Sequence, residues 1–166
     1  MSETRIMKAE AADIPEIMQI IEDARQAMRA DGNPTQWPQG RPSADTIAAD
    51  IAGGNGYKCM AGDTIAAYFA FTEGPDPTYT EIIGGAWLRP ELPYSVIHRV
   101  ASRAGSHGIF KAIMQFCTAR TNNLRIDTHC DNHIMRHCLA KNGFHYCGII
   151  HIADGTERMA FQKIIG

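Results

Sequence analysis

The sequence contains no C-x-x-C pair, no G-x-x-x-x-G-K-[ST] run and no apolar stretch approaching the roughly 20 residues of a membrane span. Each absence removes a class of protein. Without paired-cysteine spacing, the five cysteines (Cys59, Cys117, Cys130, Cys138, Cys147) are an odd set that reads as reduced thiols. Without the phosphate-loop lysine and its metal-binding hydroxyl, nucleotide phosphotransfer lacks its machinery. Nothing reads as membrane-spanning, and the opening MSETRIMKAEAADIP has no signal-peptide core, so the expectation is a cytoplasmic protein with no membrane partner. The 16 basic and 18 acidic residues are scattered and leave a net charge of −2, so no basic stripe is offered to nucleic acid. No repeat, low-complexity tract or linker is visible.

What remains is an ordinary globular composition, 45% hydrophobic and 20% charged over 166 residues. That length fits one domain, 1–166, able to bury about 70% of its unfolded surface without a disulfide or metal staple. Residues 5–9 read as a strand. Asp13-Ile14-Pro15-Glu16 reads as a capped helix start, followed by Ile14, Ile17, Met18, Ile21, Ala24 and Met28 at helical spacing. A Gly- and Pro-punctuated loop holding Trp37 precedes a short helix over 43–53 that opens at Ser43. YKCMA and TIAAYFAFTEG flank Gly62-Asp63 as a hairpin, and FHYCGIIHI and ERMAFQKI flank Asp154-Gly155 as another. Between the hairpins, GPDPTYTEIIGGAWLRPELPY reads as an irregular excursion around a short EIIGGAWL strand. The order predicts a mixed α/β sheet, antiparallel in the hairpins and parallel where helices cross over.

Residues 96–148 hold the most chemistry: two strand–turn–helix units in tandem. The first runs VIHRVAS, RAGSHG, IFKAIMQFCTAR, with Ile109, Ile113, Phe116 and Cys117 at helical spacing after Gly108. The second runs LRIDTH, CDN, HIMRHCLAKNGF. A helix opening on a glycine turn points unpaired N–H groups outward, and its macrodipole adds positive potential there. Phosphate is the anion most often held in such a place. In the second unit Asp131 or Asn132 can cap the helix, and Gly143 can close it in a left-handed conformation with Phe144 folding back.

With these residues in place, the chain resembles the GNAT family of acyl-CoA-dependent N-acyltransferases over nearly its whole length. Arg103-Ala104-Gly105-Ser106-His107-Gly108 fits the family's [QR]-x-x-G-x-[GA] loop except that Ser106 stands where a glycine is usual. Asn132 and Lys141-Asn142-Gly143-Phe144 fit the following unit, and Gln36-Trp37 with the IHRVAS run look like a bacterial subgroup. The resemblance implies an N-acetyltransferase moving acetyl from acetyl-CoA to the primary amine of a small molecule or peptide by direct attack. It implies that Arg103, Gly105, Ser106, His107, Gly108 and Ile109 hold the pyrophosphate. It also implies that the backbone of Val100 and Ser102 pairs with the pantetheine arm, and that Asn132 bonds the coenzyme. Ser106 brings a Cβ to a position that usually has none, so Gly105 is expected to supply the turn. The family's tyrosine, the general acid for the departing thiolate, is replaced by Leu139. That substitution keeps open a second reading, a non-catalytic acyl-CoA sensor or interaction module.

An amine nucleophile must lose a proton, and His98, His129 and Glu81 are the candidate bases. Cys138 is a weak candidate acid, better read as a buried apolar thiol on a helix face. Trp37, Tyr79 and Trp87 are candidates to line the acceptor pocket, or else to pin loops by burying area. His129, Cys130, His133, His137 and Cys138 crowd one region, yet no fuller ligand set accompanies them and no metal is expected. Exposed sheet edges leave a homodimer open.

Overall fold

The computed structural model describes residues 4–166. Its strands are β1 (Thr4–Lys8), β2 (Gly56–Ala61), β3 (Thr64–Glu73), β4 (Ser95–Ser102), β5 (Asn123–Thr128), β6 (His145–His151) and β7 (Glu157–Ile164). Its helices are α1 (Ile14–Ala30), α2 (Ala44–Ala52), α3 (Ile109–Thr118) and α4 (His133–Lys141). The seven strands form one mixed sheet in the order β1-β2-β3-β4-β5-β7-β6. β4 and β5 are parallel, as expected for strands joined through a helix, and both predicted hairpins are antiparallel. No helix among the described residues is long and apolar enough to cross a membrane.

The chain divides into two compact units, one running to Phe71 and adding His98–Phe116, the other comprising Thr72–Ile97 and Cys117–Gly166. In the first, Ile17, Ile20 and Ile21 of α1 recur on one face and pack with Ile47, Ile65, Tyr68 and Ala101. Trp37 closes the edge of this cluster. A second layer is aromatic, with Tyr57, Phe69, Phe71 and Phe116 at ring separations of 5.0 to 6.4 Å. Helix α2 begins as predicted, the Ser43 hydroxyl accepting the Thr46 N–H at 3.2 Å. The start of α1 differs from expectation. Asp13 does stand at the N-cap position of α1, but its side chain makes no capping bond there, because it is also the last residue of a 3-10 turn, Ala11–Asp13. Its carboxylate accepts the Glu10 N–H and the Lys58 ammonium, both at 2.8 Å. Burial pushes the Asp13 pKa up, but the Lys58 and Glu10 bonds and the Lys58 charge outweigh it and hold the carboxyl below its ordinary value.

In the second unit β7 lies between β5 and β6, and Tyr79, Val96, Ile150 and Ala160 form the core. The predicted EIIGGAWL strand is absent. Ile83 makes a single bridge to Ile149, with reciprocal bonds of 2.9 and 2.8 Å. Gly85 explains why pairing goes no further: a Cβ there would stand 1.9 Å from the Cys147 carbonyl oxygen, so this backbone packs down where a strand would run alongside. Buried Gln162 anchors the excursion, accepting the Leu88 N–H at 2.6 Å and donating to the Leu88 carbonyl at 2.9 Å and to Asn123 Oδ1 at 2.7 Å.

Candidate active site

Strand β4 ends at Ser102, and the Arg103 N–H still pairs with the Ala66 carbonyl at 2.9 Å. The chain then turns through Ser106 N–H to Arg103 O at 3.2 Å. Gly105 and Gly108 both lie in the left-handed region, at φ 81° and 72°, which L residues avoid. A Cβ at either would meet open space, so an approaching ligand finds bare backbone. Gly105 thus supplies the turn that Ser106 cannot.

Gly108 is the residue whose carbonyl starts α3, accepting the Ala112 N–H at 3.0 Å. It has no side chain with which to cap the helix. The N–H groups of Ile109, Phe110 and Lys111 have no carbonyl inside the helix to receive them. No acidic residue occupies the first turn, and exposed Lys111 adds a positive charge where the helix dipole already repels one. An anion seated there relieves both. The sequence reading passed over Lys111, although a basic residue in a first helical turn is a visible signal.

Arg103 has other partners: its Nε donates to the Ile65 carbonyl at 2.7 Å and its Nη2 pairs with Glu16 at 2.9 Å. Ser102 and His107 are exposed, Val100 and Ser106 half-buried and Ile109 buried. The β4–β5 ladder comprises the pairs Ser95 with Leu124 and Val96 with Arg125, while β4 itself runs on to Ser102.

A cluster invisible to spacing lies beside β4. Arg99 stands at φ 55°, a value uncommon for any residue with a Cβ. Its guanidinium grips Asp50 of α2 through Nε at 2.9 Å and Nη2 at 2.5 Å. The Tyr68 hydroxyl donates to the same carboxylate at 2.7 Å. Burial first, then the Asp50 bond and charge, push the Tyr68 pKa far above its ordinary value, so this hydroxyl stays protonated.

The candidate bases sit on three separate elements. His98 is half-buried in β4, Glu81 is exposed in the excursion, and half-buried His129 follows β5. His129 Nδ1 accepts the Asp131 N–H at 3.0 Å. Donor atoms of His129, Cys130 and Asp131 lie within 4.8 Å of one another. That Nδ1 bond makes the trio a hydrogen-bonded turn, with one imidazole lone pair already engaged. Asn132 caps α4, its Oδ1 accepting the Met135 N–H at 3.0 Å. Leu139 is fully buried, and neighbouring Cys138 is half-buried. Among the buried thiols, Cys59 has its pKa pushed up to about 12 by burial and is inert as a nucleophile.

The aromatic candidates separate. Trp37 packs on the α1 core, whereas Tyr79 and Trp87 pack together in the second unit at 5.1 Å. Tyr79 is fully buried, its hydroxyl donating to Asp127 at 2.7 Å and its carbonyl accepting the Trp87 indole N–H at 2.9 Å. Buried Arg125 lies 4.2 Å from the Trp87 ring centre and 3.8 Å from that of Tyr94. Burial lowers its pKa from the ordinary guanidinium value.

The fold that carries this turn is similar to those of solved acetyltransferases. A GNAT-family acetyltransferase from Streptococcus agalactiae is 31% identical, with a TM-score of 0.88, over 98% of this chain and 96% of its own. One from Listeria monocytogenes has the same fold at 16% identity, with a TM-score of 0.72, over 99% and 96%. The ribosomal-protein-S18-alanine N-acetyltransferase of Escherichia coli does so at 14% identity, with a TM-score of 0.64, over 99% and 95%. No family model matches the sequence, and no curated protein matches it. The chain belongs to the GNAT family of acetyltransferases.

Proposed function

We propose that residues 1–166 act as one domain, an N-acetyltransferase that moves acetyl from acetyl-CoA to a primary amine of a small molecule or peptide. The carrying observation is the turn 103–108 with its two left-handed glycines, the second of which opens α3, whose first turn holds no acidic residue. Backbone N–H groups from Gly105 to Ile109 hold the pyrophosphate, with Arg103, Ser106 and His107 around them. The pantetheine amides pair with the backbone of Val100 and Ser102 as an added strand, a reading supported by a β4–β5 ladder that ends at Val96. Asn132, whose Oδ1 caps α4, also bonds the coenzyme, as the family resemblance implies.

The neutral amine attacks the thioester carbonyl and forms the C–N bond. A backbone N–H near Val100 steadies the oxyanion, a contact worth about 3 kcal/mol where such donors have been removed. Collapse breaks the C–S bond. The amine's proton passes to His98, Glu81 or His129, directly or through water. Buried Leu139 has no proton to give, so water protonates the thiolate, or else Cys138 does. Tyr79 and Trp87 serve the acceptor side, the buried Tyr79 holding the Trp87 indole through its carbonyl, while Trp37 pins its loop on the α1 core. The expected setting is cytoplasmic, as a monomer or homodimer, without nucleic acid, membrane or metal.

Leu139 favours one alternative, an acyl-CoA sensor that binds without turnover. The test is calorimetry with acetyl-CoA, ATP and NAD, followed by thiol release across a panel of amines. Binding of acetyl-CoA alone with amine-dependent thiol release supports the enzyme. Binding without release supports the sensor, and preference for ATP overturns both.

A further inference from the structure

The sheet hydrogen bonds around β4 do not keep step with β3. Gly74 N–H pairs with Tyr94 O, and Arg103 N–H pairs with Ala66 O, so β4 advances nine residues while β3 covers eight. The strand therefore carries one residue too many, which is a β-bulge. Arg99 lies within that span at φ 55°. Where a bulge needs a left-handed residue, glycine is the one that takes the position without strain. Arginine has no such freedom and stays there only if its surroundings hold it.

The surroundings do so. The Asp50 carboxylate takes the Arg99 guanidinium in a two-point grip, and Tyr68 fixes the carboxylate from β3. The side chains of Arg99 and Asp50 are only 25% and 11% exposed, so solvent screens this pair less than a surface one. Helix α2, strand β3 and the extra residue of β4 thus meet at one carboxylate. The next three residues are Val100, Ala101 and Ser102, and the backbone of Val100 and Ser102 is what the proposed function gives to pantetheine.

We propose that Arg99 is a positioning residue: clamped by Asp50 and Tyr68, it holds the left-handed bulge that sets the Val100–Ser102 backbone for the coenzyme arm. The inference rests on the acetyl-CoA reading, and it makes a claim about backbone that can be examined without it. The distinguishing variant is Arg99→Gly, which gives up the ion pair but accepts φ 55° unaided. A role in stability alone would treat Arg99→Gly and Arg99→Ala alike. A backbone role separates them.

The experiment uses the full chain and measures acetyl-CoA affinity by calorimetry and the amide resonances of Val100–Ser102 by NMR. Arg99→Ala is expected to weaken binding about tenfold and shift those resonances, while Arg99→Gly stays within about threefold of the parent. Folded Arg99→Ala that binds like the parent overturns the proposal, as does Arg99→Gly that binds as poorly as Arg99→Ala. Should Arg99→Ala fail to fold, Tyr68→Phe removes one bond from Asp50 and keeps the ion pair. It is expected to cost about two- to threefold, and no loss with no shift overturns the proposal. If the parent itself does not bind acetyl-CoA, the functional reading falls. The resonances then decide the positioning claim alone: displaced in Arg99→Ala and restored in Arg99→Gly supports it, and any other pattern overturns it.

Discussion

The turn after β4 and the turn after β5 each lead a strand of the parallel pair into a helix, and they finish that helix start in opposite ways. After β5, Asn132 caps Met135, His129 accepts the Asp131 N–H, and the Arg136 guanidinium bonds the Cys130 carbonyl at 2.9 Å. That turn satisfies its polar groups from within. After β4, Gly105 and Gly108 supply conformation but no side chains, and Lys111 adds charge of the sign the dipole disfavours. The first turn leaves the N–H groups of its helix start for an anion to meet, and the second meets its own. A glycine turn alone is weak evidence for a ligand, but the turn after β5 shows that the same chain can cap a helix from within.

Making the first turn resemble the second breaks the comparison most severely. Gly108→Asp places a carboxylate at the start of α3, where aspartate tolerates the left-handed backbone better than most residues. Repulsion of a diphosphate at contact range is worth about 2–3 kcal/mol at the effective dielectric of a protein surface, so acetyl-CoA affinity is expected to fall about 100-fold. The melting temperature should change by only a few degrees, read by calorimetry and thermal melts on one preparation. Affinity within a few-fold of the parent would move the diphosphate away from this turn.

The second turn is tested by a pair of substitutions. Asn132→Ala removes the cap and is expected to cost about 1 kcal/mol of stability in chemical denaturation. Asn132→Asp keeps an oxygen for Met135, loses the amide N–H groups and adds a negative charge. It should retain the cap and weaken acetyl-CoA by at least about fivefold, from one lost hydrogen bond plus the repulsion of the new charge. If Asn132→Asp binds as the parent does, Asn132 is a cap and nothing more.

Periodicity carried much of this molecule. Ile17 and Ile21 announced α1, Ile113 and Cys117 announced α3, and both hairpins followed from Gly-containing turns between strand-like runs. The turn 103–108 was legible because its glycines are contiguous with the helix they open. Three features were not. Asp13 holds the cap position that the sequence suggests, but its carboxylate serves the 3-10 turn before it and not α1. EIIGGAWL has the composition of a strand, yet Gly85 lets its backbone press onto Cys147. Arg99 and Asp50 are 49 residues apart and share no motif, and nothing local marks Arg99 as left-handed. Local chemistry is written in the sequence, whereas a polar cluster assembled across α2, β3 and β4 appears only after folding.

Lys111 offers the finest adjustment of the contrast between the turns. It is exposed, so its attraction to a bound diphosphate passes partly through solvent and is screened by salt. Lys111→Ala also removes a charge that the helix end disfavours, which should leave the free protein unchanged or slightly steadier. Opposite signs are therefore expected on the two axes: acetyl-CoA affinity lower by about threefold at low ionic strength, and stability raised by up to about 0.5 kcal/mol. Near 1 M salt, where the screening length is about 3 Å, the affinity difference should vanish while the parent still binds through backbone amides. A Lys111→Ala defect that persists in high salt would mean the ammonium bonds the ligand directly, and the turn would then owe its affinity to a side chain as well as to its bare backbone.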